Sequence, residues 1–259
     1  MLQPWQTGKI IRIEQEASQT RRFWIQIPAI DSFDFKPGQF VTLDLPIHEK
    51  LNKRIRSYSI ASWPDGSNII ELVIVLLEGG AGTTYLFNEM KVGSELTLRG
   101  PQGIFTLPEQ VDKDLFFICT GTGIAPFRSM THHLLTNPIP RRDIYLIFGC
   151  RQFGDALYKK ELEELSGQLE GFHYIPTFSR EKADPGNPRL RTGYVHAIYE
   201  EICRNHHGLP DAVAENGGSA ALRPASFFLC GWKNMIDEAK QRIQALGYDR
   251  KSIHQELYG

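Results

Sequence analysis

The feature that most limits the folds open to this chain is a change of texture between Pro108 and Lys113. Before it, short alternating or apolar segments follow one another. Ile11 and Ile13 alternate; Phe23, Ile25 and Ile27 alternate with Trp24, Gln26 and Pro28; residues 40–43, 55–60, 69–77 and 92–98 follow. Gly, Pro, Asn or Asp flank these segments, and one short helix, predicted over residues 83–90, interrupts them. Closely spaced strands without long helices predict a small antiparallel barrel. After the change, apolar runs alternate with helical patterns. Strands are predicted over residues 115–119, 144–148, 172–178 and 227–230. Helices are predicted over 124–135, 155–165 (with Asp155 as its cap), 194–203 and 235–246. That rhythm predicts a parallel sheet covered on both faces. The expected architecture is therefore an antiparallel β-barrel over residues 1–110, followed by a doubly wound α/β domain over residues 111–259.

Composition narrows the function classes. The 29 basic and 30 acidic residues leave a net charge of −1, which argues against a whole-surface affinity for nucleic acid or acidic membrane. The most apolar stretch, residues 69–77, contains Glu71 and is far too short to span a bilayer. The four cysteines, Cys119, Cys150, Cys203 and Cys230, form no C-x-x-C pair. They supply neither the ligand set of a ferredoxin-type cluster nor a disulfide framework. Reduced thiols and a cytoplasmic location are expected, and the first residues show no signal-peptide pattern. Residues 205–225, rich in Gly, Ala, Asn and Pro, read as a mobile excursion, with His206 and His207 as solvated loop residues rather than metal ligands.

Four local patterns carry chemistry. Gly121, Thr122 and Gly123 follow a buried strand and open a helix, the context of a dinucleotide phosphate site. A turn that merely needs glycine is the plainer explanation. Arg56, Ser57, Tyr58 and Ser59 lie on a barrel strand, where alternation puts Arg56 and Tyr58 on one face and the serines on the other. A cation, an aromatic plate and a hydroxyl suit a flavin nucleotide, although Tyr and Ser are common in strands. Gly80, Gly82 and Thr83 precede the inserted helix and make a second anion site, or a hairpin with an N-cap threonine. Ser179 and Arg180 follow the third strand of the second domain, where a hydroxyl beside a guanidinium suits a phosphate dianion.

Taken together, these patterns resemble the ferredoxin–NADP reductase family over nearly the whole chain. The resemblance rests on Arg56-Ser57-Tyr58-Ser59-Ile60-Ala61-Ser62, Gly100-Pro101-Gln102-Gly103, the stretch from Gly121 to Ser129, Ser179-Arg180-Glu181, Cys230-Gly231-Trp232-Lys233-Asn234-Met235 and Glu256-Leu257-Tyr258, in that order. It implies an FAD-binding barrel and an NADP-binding α/β domain. Arg56 would contact the FAD pyrophosphate together with Gly80, Gly82 and Thr83; Tyr58 would pack on the flavin and Ser59 would hydrogen-bond near its N5. Gly121, Thr122 and Gly123 would face the NADPH pyrophosphate, Ser179 and Arg180 its 2′-phosphate, and Tyr194 its adenine. Cys230 would lie by the nicotinamide with Glu256 nearby, and Tyr258 would cover the flavin. The implied activity is hydride transfer between NADPH and FAD, with single electrons passed to or from a separate ferredoxin or flavodoxin. An acidic acceptor could meet Lys50, Lys53 and Arg54. The alternative is an NAD(P)H-dependent reductase component of an oxygenase, or a free-flavin reductase. Three positions depart from the plant-type pattern. No aromatic hairpin precedes Gly79, Thr192 stands where a basic residue is usual (with Arg189 or Arg191 available to replace it), and Gly259 follows Tyr258.

Overall fold

The structure is a computed structural model and describes residues 3–184, 186–187, 190–206 and 222–258. His207, Arg189, Gly259 and most of the predicted 205–225 excursion lie outside them. The chain packs as two compact units, Met1–Leu107 with Ile124–Asn137, and Pro108–Gly123 with Pro138–Gly259.

The first unit holds β1 (Gln6–Ala17), β2 (Thr20–Gln26), β3 (Phe40–Asp44), the short α1 (Leu51–Arg54), β4 (Ile55–Ser59), β5 (Ile69–Val75), α2 (Ala81–Asn88) and β6 (Glu95–Gln102). Its strands pair antiparallel in the order β4-β3-β6-β1-β2-β5. The two-residue period explains the core. Phe23 and Ile25 face Leu72 and Ile70 across the β2–β5 ladder, and all four are buried. They join Val41, Leu43 and Leu98, and Leu86 and Phe87 of α2 packs against the same cluster. The segment after β4 reaches β5: the Ala61 N–H donates to the Glu71 carbonyl at 2.8 Å, and the Glu71 N–H donates to Ser62 Oγ at 3.0 Å. These bonds link the two edge strands, so the sheet closes on itself as predicted. The helix α3 (Ala125–Thr136) also belongs to this unit.

The second unit holds β7 (Asp114–Thr120), β8 (Ile144–Cys150), α4 (Lys159–Gln168), β9 (Phe172–Phe178), β10 (Arg191–Thr192), α5 (Val195–His206), β11 (Ala225–Trp232), α6 (Lys233–Ala245) and β12 (Ile253–Tyr258). All six strands are parallel, in the order β10-β9-β8-β7-β11-β12. Phe116 and Ile118 of β7 pack on one side with Tyr145, Ile147, Phe227 and Leu229 against α5 and α6. Phe117 and Cys119, which point the other way, are buried too, so the run is apolar without alternation. The chain builds outward from β7 through β8, β9 and β10, then returns to the other side for β11 and β12. Ligands of such sheets bind where the order reverses, at the carboxyl ends of β7 and β11.

One helix start differs from its prediction. The helix α4 begins at Lys159, after Tyr158 in a left-handed conformation (φ 53°). Asp155 instead closes a 3₁₀ turn, Phe153–Asp155, where its carboxylate accepts the Gln152 N–H at 3.1 Å. A short acidic side chain satisfies a nearby N–H as readily in a turn as at a helix cap.

Candidate functional site

In the first unit, β4 pairs with β3 without a register shift, from Phe40↔Ser59 to Asp44↔Ile55. Alternation therefore holds. Arg56 and Tyr58 share a face, opposite Leu43 and Val41. Ser57 points the other way, exposed, with its hydroxyl 3.3 Å from that of Thr42, so it does not join the Arg56–Tyr58 face. Ser59 is buried at the strand end. Burial pushes the Tyr58 phenol up to about 12, more than the Arg56 cation lowers it. The phenol therefore stays neutral through the physiological range.

The glycines before α2 bring a second feature to Arg56. A Cβ on Gly82 would stand 3.1 Å from Arg56 Cγ and 3.2 Å from its Nε, so the arginine lies against the first turn of the helix. Arg56 Nη1 donates to the Ile55 carbonyl at 2.7 Å and to that of Lys53 at 3.1 Å, which fixes the fork. A guanidinium and the free N–H groups of a helix N-terminus thus attract an anion to one place. The Thr83 hydroxyl is bonded within the loop. Gly80 caps the helix, and the Thr83 hydroxyl accepts the Leu77 N–H at 3.1 Å and donates to the Gly80 carbonyl at 3.1 Å. It braces the glycine loop. Arg54 is held by Asp44 at 2.7 and 2.9 Å, which leaves Lys50 and Lys53 as the exposed cations of that segment.

In the second unit, β7 runs into a 3₁₀ turn, Gly121–Ile124, at the point where strand order reverses. Gly121 and Thr122 are half-buried on this turn and Gly123 is buried. A Cβ on Gly123 would meet the Cys230 carbonyl oxygen closer than any real Cβ contact. Only glycine lets the turn lie this near β11. Three predicted residues meet at the same end. Cys230 pairs with Cys119 on one side and with Glu256 on the other, and Trp232 pairs with Tyr258. The strand β12 is held to β11 by parallel pairing from Phe227↔Ile253 to Trp232↔Tyr258. Cys230 itself is fully buried.

The third predicted group lies at the ends of β8 and β9. The Ser179 N–H donates to the Cys150 carbonyl at 3.0 Å and the Arg180 N–H to that of Arg151 at 2.9 Å. These bonds place two exposed arginines, Arg180 and Arg151, on adjacent loops. Arg151 escapes sequence reading because nothing local marks it; only the pairing of β8 with β9 brings it beside Arg180. Tyr194, 72% exposed, precedes α5 with its ring open. Arg191, beside Thr192, is paired with Glu201 at 2.5 Å.

The thiols follow one rule. Burial pushes Cys119 and Cys230 well above the usual range, and Cys150 and Cys203 up to about 12. The thiolate is the nucleophile, so native protein at neutral pH is expected to resist alkylation at all four, while denatured protein reacts at all four. Rapid labelling of Cys230 in the native state would contradict its burial. Above roughly pH 8.5 the unfolded thiols ionise and the folded ones do not. The unfolded chain then binds fewer protons, and stability should fall as pH rises through the folded values.

Two further buried charged residues are paired within the first unit. Glu71 of β5 and Arg128 of α3 are buried and joined at 3.0 Å. Among the described residues, no three His, Cys, Asp or Glu side chains are grouped to hold a metal ion, and no helix is long and apolar enough to cross a membrane.

Comparisons with known proteins agree with this layout. An oxidoreductase FAD-binding domain model matches residues 7–107, and an oxidoreductase NAD-binding domain model matches residues 117–241. The chain is 34% identical over 230 residues to ferredoxin–NADP reductase B of Sorangium cellulosum, covering 88% of this chain and 86% of that one. It is 33% identical to the 2-halobenzoate 1,2-dioxygenase electron transfer component of Burkholderia cepacia, covering 92% of this chain but 63% of that one. Among solved structures, a ferredoxin NADP+ reductase from Neisseria gonorrhoeae with bound FAD and NADP shares the fold, with a TM-score of 0.75 at 24% identity over 98% of each chain. The closed antiparallel sheet with its arginine–glycine cradle, the parallel sheet with its glycine turn, and the relative spanned almost end to end lead to one conclusion: the chain belongs to the ferredoxin–NADP reductase family and is an oxidoreductase that binds FAD and a pyridine nucleotide.

Proposed function

We propose that the protein transfers hydride between NADPH and FAD and exchanges single electrons with a separate ferredoxin or flavodoxin. The observation that carries the reading is the pair of glycine-built cradles, one in each unit, at Gly82 beneath Arg56 and at Gly123 beside Cys230. Each lies at the start of a helix, where free backbone N–H groups suit a phosphate, and each glycine lets its turn pack close to a neighbour, Arg56 or the Cys230 carbonyl. In this reading the flavin belongs to residues 1–110 and the nucleotide to residues 111–259.

Arg56 and the first turn of α2 hold the FAD pyrophosphate, with Gly80 and Gly82 leaving room for it. Tyr58 packs on the ring system, and Ser59 offers a hydroxyl near the reactive nitrogen. Gly121, Thr122 and Gly123 receive the nucleotide pyrophosphate, and Tyr194 receives the adenine. Cys230 and Glu256 line the nicotinamide position, with Cys230 as a neutral, close-packed wall. FAD when bound supplies the redox chemistry; the chain orients it and excludes water.

Ser179 and Arg180, with Arg151 beside them, favour a 2′-phosphate and so NADPH over NADH. Arg180→Ala should remove a charge-assisted partner contributing about 1.5–3 kcal/mol. NADPH efficiency should then fall by roughly one to two orders of magnitude, chiefly through KM, while NADH use changes little. Equal losses with both nucleotides would show that Arg180 bonds a shared phosphate or is structural. Tyr258 is assigned to the flavin face that nicotinamide must reach, because an exposed ring face gains from an aromatic laid on it. Tyr258→Ser should tighten NADP⁺ binding and raise NADH use relative to NADPH. Wild-type values for both would remove Tyr258 from that role.

The second reading, a reductase component of an oxygenase system, is favoured by the match to the Burkholderia electron transfer component, of whose length this chain spans 63%. Steady-state assays with NADPH and NADH against ferredoxins, flavodoxins, free flavins and oxygenase components separate the two. Turnover with ferredoxin or flavodoxin supports the first reading; turnover with free flavin or an oxygenase component alone supports the second.

A further inference from the structure

Glu71 sits in the middle of β5, 2% exposed, beside the core residues Ile70 and Leu72. Its carboxylate is met from two sides. Arg22 of β2 donates through Nε at 2.6 Å and Nη2 at 3.1 Å, and Arg128 of α3 donates through Nη1 at 3.0 Å. Arg22 also reaches Glu16 at 3.4 Å. The Arg128 side chain is almost wholly buried, and the same Nη1 lies 2.8 Å from the Ala61 carbonyl oxygen. The guanidinium is held under Trp63, 5.4 Å from its ring centre, and Trp63 in turn stacks on His132 at 3.9 Å. The Glu71 backbone grips the same segment from the strand side, through the Ala61 N–H at 2.8 Å and Ser62 Oγ at 3.0 Å. Ala61 thus has both backbone polar groups fixed, two residues beyond Ser59 and three beyond Tyr58.

We propose that Glu71 and Arg128 are positioning residues for the flavin strand. The pair clamps Ala61 and thereby sets how Tyr58 and Ser59 are presented to the isoalloxazine ring. The proposal rests on the flavin reading given above. A buried ion pair is a poor device for stability alone, because desolvating both charges offsets most of their attraction, and an apolar pair of similar size often serves as well. An apolar pair has no donor for the Ala61 carbonyl. One guanidinium nitrogen, Nη1, bridges that carbonyl and the carboxylate at once, with its plane fixed under Trp63; a lysine keeps the charge but not the fixed plane. Clamping therefore needs this chemistry, whereas filling the core does not.

The test uses the full chain, purified with flavin and also stripped and titrated with FAD, comparing wild type with Arg128→Met, Arg128→Lys and the double variant Glu71→Met/Arg128→Met. Arg128→Met should raise the FAD dissociation constant about tenfold, the scale of one lost charge-assisted hydrogen bond. It should also change the shape of the visible flavin band and lower kcat with the KM for NADPH unchanged. Arg128→Lys should recover part of each effect. The double variant, in which Arg22 keeps Glu16, should regain melting temperature while the dissociation constant and the band shape stay altered. Should Arg128→Met fail to fold, Arg128→Lys and Ser62→Ala carry the same comparison. Variants whose flavin affinity and spectrum match wild type, or return to wild type whenever the melting temperature does, would overturn the positioning role alone. A stripped wild-type protein that takes up no FAD would overturn the flavin reading, and this proposal with it.

Discussion

Arg56→Ala is expected to weaken FAD binding by roughly one to two orders of magnitude, the effect of losing a charge-assisted contact of about 1.5–3 kcal/mol. The expectation follows from where the arginine lies. Its side chain crosses Gly82 at 3.1–3.2 Å from the position of a Cβ, and its fork is held by the carbonyls of Ile55 and Lys53. The cation and the α2 N-terminus address one anion, so the loss should be felt in affinity for the dinucleotide. FMN and FAD compared on the variant locate the lost contact. FAD should lose more, because it carries the pyrophosphate. Arg56→Lys should fall between, since a point charge lacks the planar fork. An unchanged FAD dissociation constant in Arg56→Ala would place the pyrophosphate elsewhere.

Gly123→Ala should be more damaging to the nucleotide site. The added methyl would run into the carbonyl oxygen and carbon of Cys230, which are backbone, so no flexible side chain can swing away. The β7–β11 ladder pairs Cys119 with Cys230 right there and opposes any parting of the strands. Overpacking of this kind costs typically 1–3 kcal/mol, and more where backbone must move. The variant should melt earlier and lose most of its NADP⁺ affinity while still taking up FAD, whose cradle lies in the other unit. Gly154→Ala, where an added Cβ meets nothing within 4 Å, is the control and should behave as wild type. Normal NADP⁺ binding in Gly123→Ala would show that the turn has room the structure denies it.

How much of this was legible in the sequence depends on the range of the forces involved. The barrel was readable because Phe23, Ile25 and their neighbours face one core, and a period of two records that directly. The parallel sheet was readable because β7 is buried on both faces and so is apolar without a period. Edge strands left weaker traces. β12 carries His254, Gln255 and Glu256 and sits at the sheet edge, paired with β11 alone among the described strands. The start of α4 is hidden from the sequence because Asp155 satisfies a turn N–H with the chemistry of a cap. At the proposed site, the shared face of Arg56 and Tyr58 and the places of the two glycine turns were legible from strand alternation and helix starts. The hydrogen bonds of the Ser57 and Thr83 hydroxyls were not, since their partners are Thr42 on the neighbouring strand and the backbone of Leu77 and Gly80. Arg151, Glu71 and Arg128 acquire meaning only from strand and helix packing: Glu71 is 57 residues from its partner Arg128.

The central claim is that one chain joins a pyridine nucleotide to a flavin and the flavin to a one-electron protein acceptor. Anaerobic titration of the flavin-loaded protein with NADPH, followed through the visible flavin absorbance and then by addition of oxidised ferredoxin or flavodoxin, tests it most directly. NADPH is expected to bleach the flavin band, NADH to do so far less effectively, and the acceptor to restore the band as it is itself reduced. A flavin band that neither nucleotide bleaches would contradict it.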